Sequence, residues 1–394
     1  MKFYERRLEP LLVKEIDKEN IVVLTGMRQV GKTTLMKHIF NMIPSRNKVF
    51  LDMENPLNQK IFEEENFENI VLNLKKFGIN FNEKSFVFID EIQLAPNIVK
   101  PIKYLFDHYK IKFFLTGSSS FYLKNLFPES LAGRKIVYEL FPLDFMEFLI
   151  FKNKEKEFFW NFSEKARNKN IISFQLFKGL FDEYITFGGF PRVVLEEDPT
   201  RKKKILEDIF KSYYEKDIKT LSDFKEIGRL RDLILLLSNR VGSKIEITKI
   251  ASEIGVSRET IYSYLNFLEM TYFIFLIRPL SRSLNGEVRG ARKVYFCDTG
   301  LLNYLTKLKE GVVFENAVFL NLKKYGEINY YQRYKGPEID FILNKTIGLE
   351  VKLKADEKDI KKLKKLSERI KLKESFIVVK EFSPLENTIL AQDL

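Results

Sequence analysis

One cysteine, two histidines and one tryptophan are all that 394 residues contain of these types. The single Cys297 excludes an intramolecular disulfide framework and fits a reducing compartment. His38 and His108 are too few for a Cys/His zinc cluster. Long apolar runs are missing too. Stretches such as "LILLL" and "FIFLI" fall far short of the roughly 18 residues a membrane-spanning helix needs, so a soluble chain is expected. The opening "MKFYERRLEP" places charge and aromatics where an export signal needs an apolar core, and a cytoplasmic location is the expectation. No internal repeat or low-complexity linker is visible.

What is present is a folded, basic chain. Hydrophobic residues make up 45%, and the length implies two to four domains. Lysine and arginine outnumber the acids 66 to 54, for a net charge of +12. That balance suits a polyanionic partner such as DNA, and it equally suits a Lys/Glu-rich surface of the heat-adapted kind.

Apolar strands alternate with amphipathic helices over residues 1–150: "IVVLT", "KVFLD", "SFVFID", "KFFLTG" and "KIVYEL" are the strand candidates. The alternation predicts an α/β domain with a parallel sheet covered by helices on both faces. Residues 151–238 lose it and read as a helical connecting domain. Over 239–285, "SKIEITKIASEIGVSRETIYSYLNFLEMTYFIFLI" has the helix, turn, helix, strand rhythm of a winged helix, with Gly255 at the turn and Ser257 as a helix cap. Residues 286–394 return to α/β patterning.

Residues 26 to 33, "GMRQVGKT", satisfy GxxxxGK[ST] between a strand and an amphipathic helix. Such a loop curls so that its N–H groups point at phosphate oxygens, and the following helix adds its positive end. Gly26, Met27, Arg28, Gln29, Val30, Gly31, Lys32, Thr33 and Thr34 are therefore the expected nucleotide cradle. Lys32 would reach the β and γ phosphates, and the Thr33 hydroxyl would sit on Mg²⁺. "FVFIDE" ends a buried strand in Asp90, suited to hold the metal, and Glu91, suited to polarise the attacking water. In "KFFLTGSSS", Thr116 or Ser118 is placed to sense the γ-phosphate, and the sequence does not choose between them. Arg134, after the turn in "LAGRK", is either an arginine finger or an ordinary surface cation. A guanine-selecting NKxD string is absent, which favours ATP.

These motifs, with "LAGRKIVYELFPLDFMEFL", "YITFGGFPRVV", "VYFCDTGLL" and "YYQRYKGPEIDFIL", resemble the archaeal and bacterial AAA-type ATPases whose C-terminal half is a domain of unknown function. The resemblance covers nearly the whole chain. It implies an additional-strand P-loop NTPase core, a winged helix and a restriction-endonuclease-like end, but no particular biological task.

"PEIDFILNKTIGLEVKL" places Asp340 on one strand and Glu350 and Lys352, two apart, on one face of the next. Two carboxylates can bind Mg²⁺ while a lysine orients water toward a phosphodiester, the logic of a D...ExK nuclease site. Glu315, on the preceding helix, would complete the acidic cluster. A same-face ion pair on a sheet is the plain alternative. In the winged helix, Arg258, Thr260, Tyr262 and Ser263 are the side chains expected to face DNA, with Ile261, Leu265 and Leu268 in the core. Glu259 and Glu269 weaken that face, and a purely structural wing is the rival reading. The function expected is an ATPase whose hydrolysis switches the following domains, acting with nucleic acid. An ATP-gated nuclease and a signalling switch that binds a protein partner, or a second copy of the chain, are the alternatives.

Overall fold

A computed structural model describes residues 2–95, 97–118, 133–218, 227–281, 290–332 and 336–394. Ser119 and Ser120 of "GSSS", Leu131 and Ala132 before Arg134, and most of "RSLNGEVRG" lie outside the described residues. The chain divides into two compact units, Met1–Phe141 with Met270–Tyr272, and Pro142–Glu269 with Phe273–Leu394.

In the first unit, five strands form one parallel sheet in the order β2-β3-β4-β1-β5. They are β1 (Ile21–Thr25), β2 (Lys48–Asp52), β3 (Ser85–Asp90), β4 (Ile111–Gly117) and β5 (Lys135–Glu139). β1, β3 and β4 are buried along their whole length, as in a parallel sheet with helices on both faces. On one face Val23, Val87, Ile89 and Phe113 pack against Ile70, Leu74, Ile102 and Leu105. On the other, Phe50, Phe88 and Phe114 stack in sequence, with Phe40 of the helix Lys32–Met42 edge-on. Each such fully buried side chain contributes about 2–3 kcal/mol. β4 separates β1 from β3, which is the additional-strand arrangement. Since all strands run the same way, the C-terminal tips of β1, β3 and β4 come together.

In the second unit, seven strands form a mixed sheet in the order β12-β11-β10-β9-β8-β6-β7. They are β6 (Ile274–Pro279), β7 (Lys293–Phe296), β8 (Ile328–Gln332), β9 (Glu338–Leu343), β10 (Ile347–Lys352), β11 (Glu374–Val379) and β12 (Thr388–Leu390). The helix Glu310–Leu322 precedes β8, and β8-β9-β10 form an antiparallel meander. The helix Glu357–Ile370 then crosses to β11, parallel to β10. A reciprocal cap at Asp356 and Asp359 starts that helix, and its apolar side, Leu363 and Leu366, packs on Ile339, Ile377 and Val379.

Two boundaries differ from expectation. The helix Phe145–Phe151 belongs to the second unit, because Phe145 and Phe148 pack on Phe181 and Tyr184. The mixed sheet also crosses the expected division at 285/286: β6 pairs with β7 on one side and β8 on the other. Upstream of it run the helix Ile227–Ser238, a single bridge from Val241 to Val294, and the helices Ile247–Ile254 and Arg258–Met270. Gly255 takes φ 76° at the turn, and Ser257 Oγ accepts from the Thr260 N–H at 3.1 Å. Ile261, Leu265 and Leu268 are buried, while Arg258, Tyr262 and Ser263 are exposed. Among the described residues no helix is long and apolar enough to cross a membrane.

Candidate nucleotide site and acidic cluster

β1 ends at Thr25 and the chain turns at Gly26 with φ 151°. A Cβ there would lie 2.0 Å from the Leu140 carbonyl oxygen, so only glycine fits where the loop passes β5. Gln29 and Gly31 also take positive φ, 64° and 100°, curling the loop before the helix Lys32–Met42 begins. Lys32 is buried and donates to the carbonyls of Gly26 at 2.8 Å and Met27 at 3.0 Å, which holds its ammonium group inside the loop. Arg6 is buried as well. Its guanidinium donates to the Val30 carbonyl and to the Phe141 carbonyl, each at 2.8 Å.

At the tip of β3, burial pushes the Asp90 carboxyl above its ordinary range, against the pull of hydrogen bonds from the Thr116 and Thr33 hydroxyls. Thr33 of the loop and Asp90 of β3 are thus in direct contact. Thr116, from the neighbouring strand, also accepts from the Glu91 N–H at 3.0 Å. Glu91 itself adopts a left-handed backbone conformation, φ 54°. Its carboxylate accepts from Gln93 Nε2, and the same amide reaches Ser118 Oγ at 3.1 Å. Thr116 and Ser118 therefore divide the tip of β4, one on the two acids and the other on Gln93.

The structure does not bring Arg134 to this site. It precedes β5, at the end of the parallel sheet opposite the loop, with its carbonyl bonded to the Ile21 N–H. Its guanidinium grips both oxygens of Asp107, at 2.7 and 3.2 Å. Five residues of strand, roughly 17 Å, separate that end from the loop, so Arg134 cannot act on a phosphate held by its own chain. Arg6 and Gln93 are absent from the sequence reading. Gln93 had a signal in its position two residues after Glu91; Arg6 had none.

In the second unit β9 and β10 pair antiparallel up to Leu349 opposite Phe341, with Asp340 and Glu350 next along the two strands. Asp340 Oδ2 accepts from the Val351 N–H at 2.8 Å, and Lys352 pairs with Glu350 at 3.1 Å. Glu315, from the helix Glu310–Leu322, accepts from the buried Tyr295 hydroxyl at 2.7 Å. Gly242 lies against it, where a Cβ would come within 2.7 Å of Oε1. Burial, and then the Asp340 charge, raise both Glu315 and Glu350 to about 7, and burial raises Asp340 too. Burial draws Lys352 down, but the Glu350 and Asp340 charges outweigh it and leave it above its ordinary value. Glu350 Oε2 is buried with no hydrogen-bond partner. Among the described residues no three Asp, Glu, His or Cys converge as a ready-made metal site. The cluster is therefore a group of neighbouring carboxylates with one orphaned oxygen.

Residues 18–149 match the model of the AAA domain family. Two domains of unknown function follow, DUF8612 over 178–311 and DUF4143 over 310–389. An uncharacterized protein of Methanocaldococcus jannaschii is 32% identical, over 87% of this chain and 79% of its own length. One of Haemophilus influenzae is 28% identical over 85% and 82%. Among solved structures, the ADP form of ORC2 from Aeropyrum pernix aligns with 70% of this chain and 88% of its own, at 13% identity and a TM-score of 0.37. With the loop, the acidic strand tip and the strand order in place, the chain belongs to the family of AAA-type P-loop ATPases that includes the M. jannaschii protein.

Proposed function

We propose that the chain is a magnesium-dependent ATPase whose hydrolysis at Lys32, Thr33, Asp90 and Glu91 switches the domains that follow, in work on nucleic acid. The observation that carries the catalytic part is the contact of the Thr33 and Thr116 hydroxyls with one buried carboxylate, Asp90, beside the glycine loop. Thr33 and Asp90 supply the hard oxygen ligands that suit Mg²⁺, and the bound ion would neutralise charge on the β and γ phosphates. Lys32 would leave the Gly26 and Met27 carbonyls for phosphate oxygen, and Glu91, oriented by its N–H bond to Thr116 and by Gln93, would take the proton of the attacking water. The order helix, bridge, helix, helix, hairpin over residues 227–296 supports the winged-helix reading, and the net charge of +12 supports a polyanionic partner. The test is ATP turnover with and without duplex DNA at two salt concentrations, with Glu91→Gln as the blank. Salt-sensitive stimulation is expected; turnover indifferent to DNA would point to a protein partner.

A second reading, an ATP-gated nuclease, is favoured by the orphaned Glu350 Oε2 between Asp340 and Lys352, and by the order helix, three strands, helix, strand around it. Asp340 and Glu350 would supply hard carboxylate donors of the kind a divalent ion prefers, with the remaining ligands coming from water or the substrate phosphate, since the described residues hold no three-ligand group. Mg²⁺-dependent nicking of plasmid lost in Asp340→Ala, with ATP turnover intact, is its expected signature. No cleavage by the wild type with Mg²⁺ or Mn²⁺ would remove it.

A further inference from the structure

Half of the chain's net charge is concentrated in one short segment. Between Lys352 and Lys373 there are ten lysines and arginines against four acids, a net of +6 out of +12. Most of this segment is the helix Glu357–Ile370. At 100° per residue, Leu363, Leu366, Ser367 and Ile370 define the side that packs on the sheet. Its two flanks differ. On one, Lys361 and Lys364 alternate with Glu357 and Glu368, and Lys361 is paired with Glu357 at 3.8 Å. On the other, Lys358, Lys362, Lys365 and Arg369 fall within about 60° of arc, and the acid on that side, Asp359, lies about 60° nearer the sheet and half-buried. All four are exposed. The helix packs against β10, the strand that carries Glu350 and Lys352, and on this side the Lys362 charge acts on Glu350 and the Asp359 charge on Lys352.

We propose that Lys358, Lys362, Lys365 and Arg369 form the track that holds the phosphate backbone of duplex DNA beside Asp340 and Glu350. The inference rests on the reading that the chain works on nucleic acid, and it names the surface and the form of the partner. The stripe rises over about 16 Å, long enough for two to three successive phosphates of one strand. No aromatic side chain occurs in the helix, so it offers no platform for the stacked bases of a single strand. The stripe itself has no hydroxyl or amide to read the 2′-OH of an RNA duplex. It also lacks the apolar residues beside the cations that seat a helix in a lipid headgroup layer.

The test is fluorescence anisotropy of the full chain with a labelled 20-base-pair DNA, read from low to moderate salt. Lys358→Ala/Lys362→Ala/Lys365→Ala/Arg369→Ala should reduce the slope of log K against log salt by about 2 to 3, since each of the two to three phosphates contributes about 0.9. Lys361→Ala/Lys364→Ala, on the mixed flank, should leave the slope within one unit of the wild type. Arginine at 358, 362 and 365 should restore it, and unchanged ATP turnover shows that the variants fold. A fourfold variant with the wild-type slope overturns the track while leaving DNA binding, and so the parent reading, in place. A wild type that binds no DNA overturns both. Tighter binding to single-stranded DNA, duplex RNA or anionic vesicles than to the duplex overturns the choice of partner.

Discussion

Thr116 holds Asp90 and Glu91 at once: its hydroxyl donates to Asp90 Oδ1 and accepts from the Glu91 N–H at 3.0 Å. One fully buried side chain on β4 thus sets the position of both acids at the tip of β3. Thr116→Val keeps the shape and removes both bonds. It should lower kcat about tenfold to a hundredfold, from the 1–3 kcal/mol of an unsatisfied buried group, and leave the Kd for ATP within a few-fold. Steady-state kinetics beside equilibrium nucleotide binding separates the two.

Gln93 joins Glu91 to Ser118, so the amide senses both strand tips. Gln93→Leu should reduce kcat about tenfold while ATP binding persists, because Glu91 loses the donor that orients it. Ser118→Ala should have a smaller effect in the same direction. Unchanged kcat in Gln93→Leu would remove Gln93 as a positioning residue.

Arg6 ties the phosphate loop at Val30 to Phe141, the last residue of the first segment of the first unit. A buried guanidinium that bridges two carbonyls has no equivalent in lysine, whose single nitrogen cannot span them. Arg6→Lys should destabilise the fold by about 2–4 kcal/mol. The drop should appear in thermal melts without nucleotide and persist at saturating ATP where the affinity is unchanged, because linkage then adds the same increment to both proteins.

Glu15 gives a pH-dependent prediction. Burial alone would raise its carboxyl, but bonds from Lys18 at 2.8 Å, Asn20 at 2.7 Å and Tyr138 at 2.9 Å outweigh it and hold the group at about 2. A carboxyl depressed in the folded state stabilises the protein above its unfolded value, about 4.5, and loses that contribution as pH falls toward 2. Glu15→Gln should be less stable than the wild type at pH 7 by about 1–2 kcal/mol, a figure reduced for solvent screening. The two thermal midpoints should converge between pH 4.5 and 2.5; a constant gap would contradict the ionic origin.

The parallel sheet was legible because its strands are unbroken apolar runs ending in polar residues, and the glycine loop follows the first of them. That Glu350 and Lys352, two apart on β10, share a face was legible from strand alternation, and the two side chains are paired at 3.1 Å. Arg134 was left open between an arginine finger and a surface cation, although its position before "KIVYE" already sets it at the end of the parallel sheet away from its own chain's loop. Tyr295 and Gly242 contact Glu315 across 20 and 73 residues of sequence, which no local pattern encodes. The Arg6 bonds span 24 and 135 residues and were hidden for the same reason. The seven-stranded sheet drew strands from two segments expected to be separate, since the pairing of β6 with β8 is decided by tertiary packing rather than by periodicity.

The most direct test is a single-turnover assay with radiolabelled ATP and Mg²⁺ on the wild type, Lys32→Ala and Glu91→Gln, reading bound nucleotide and released phosphate together. The wild type should bind and hydrolyse ATP, Lys32→Ala should retain none, and Glu91→Gln should retain uncleaved ATP with turnover down at least about a hundredfold. Phosphate release by Glu91→Gln at the wild-type rate, or a wild type that holds no ATP, would contradict the assignment of this site.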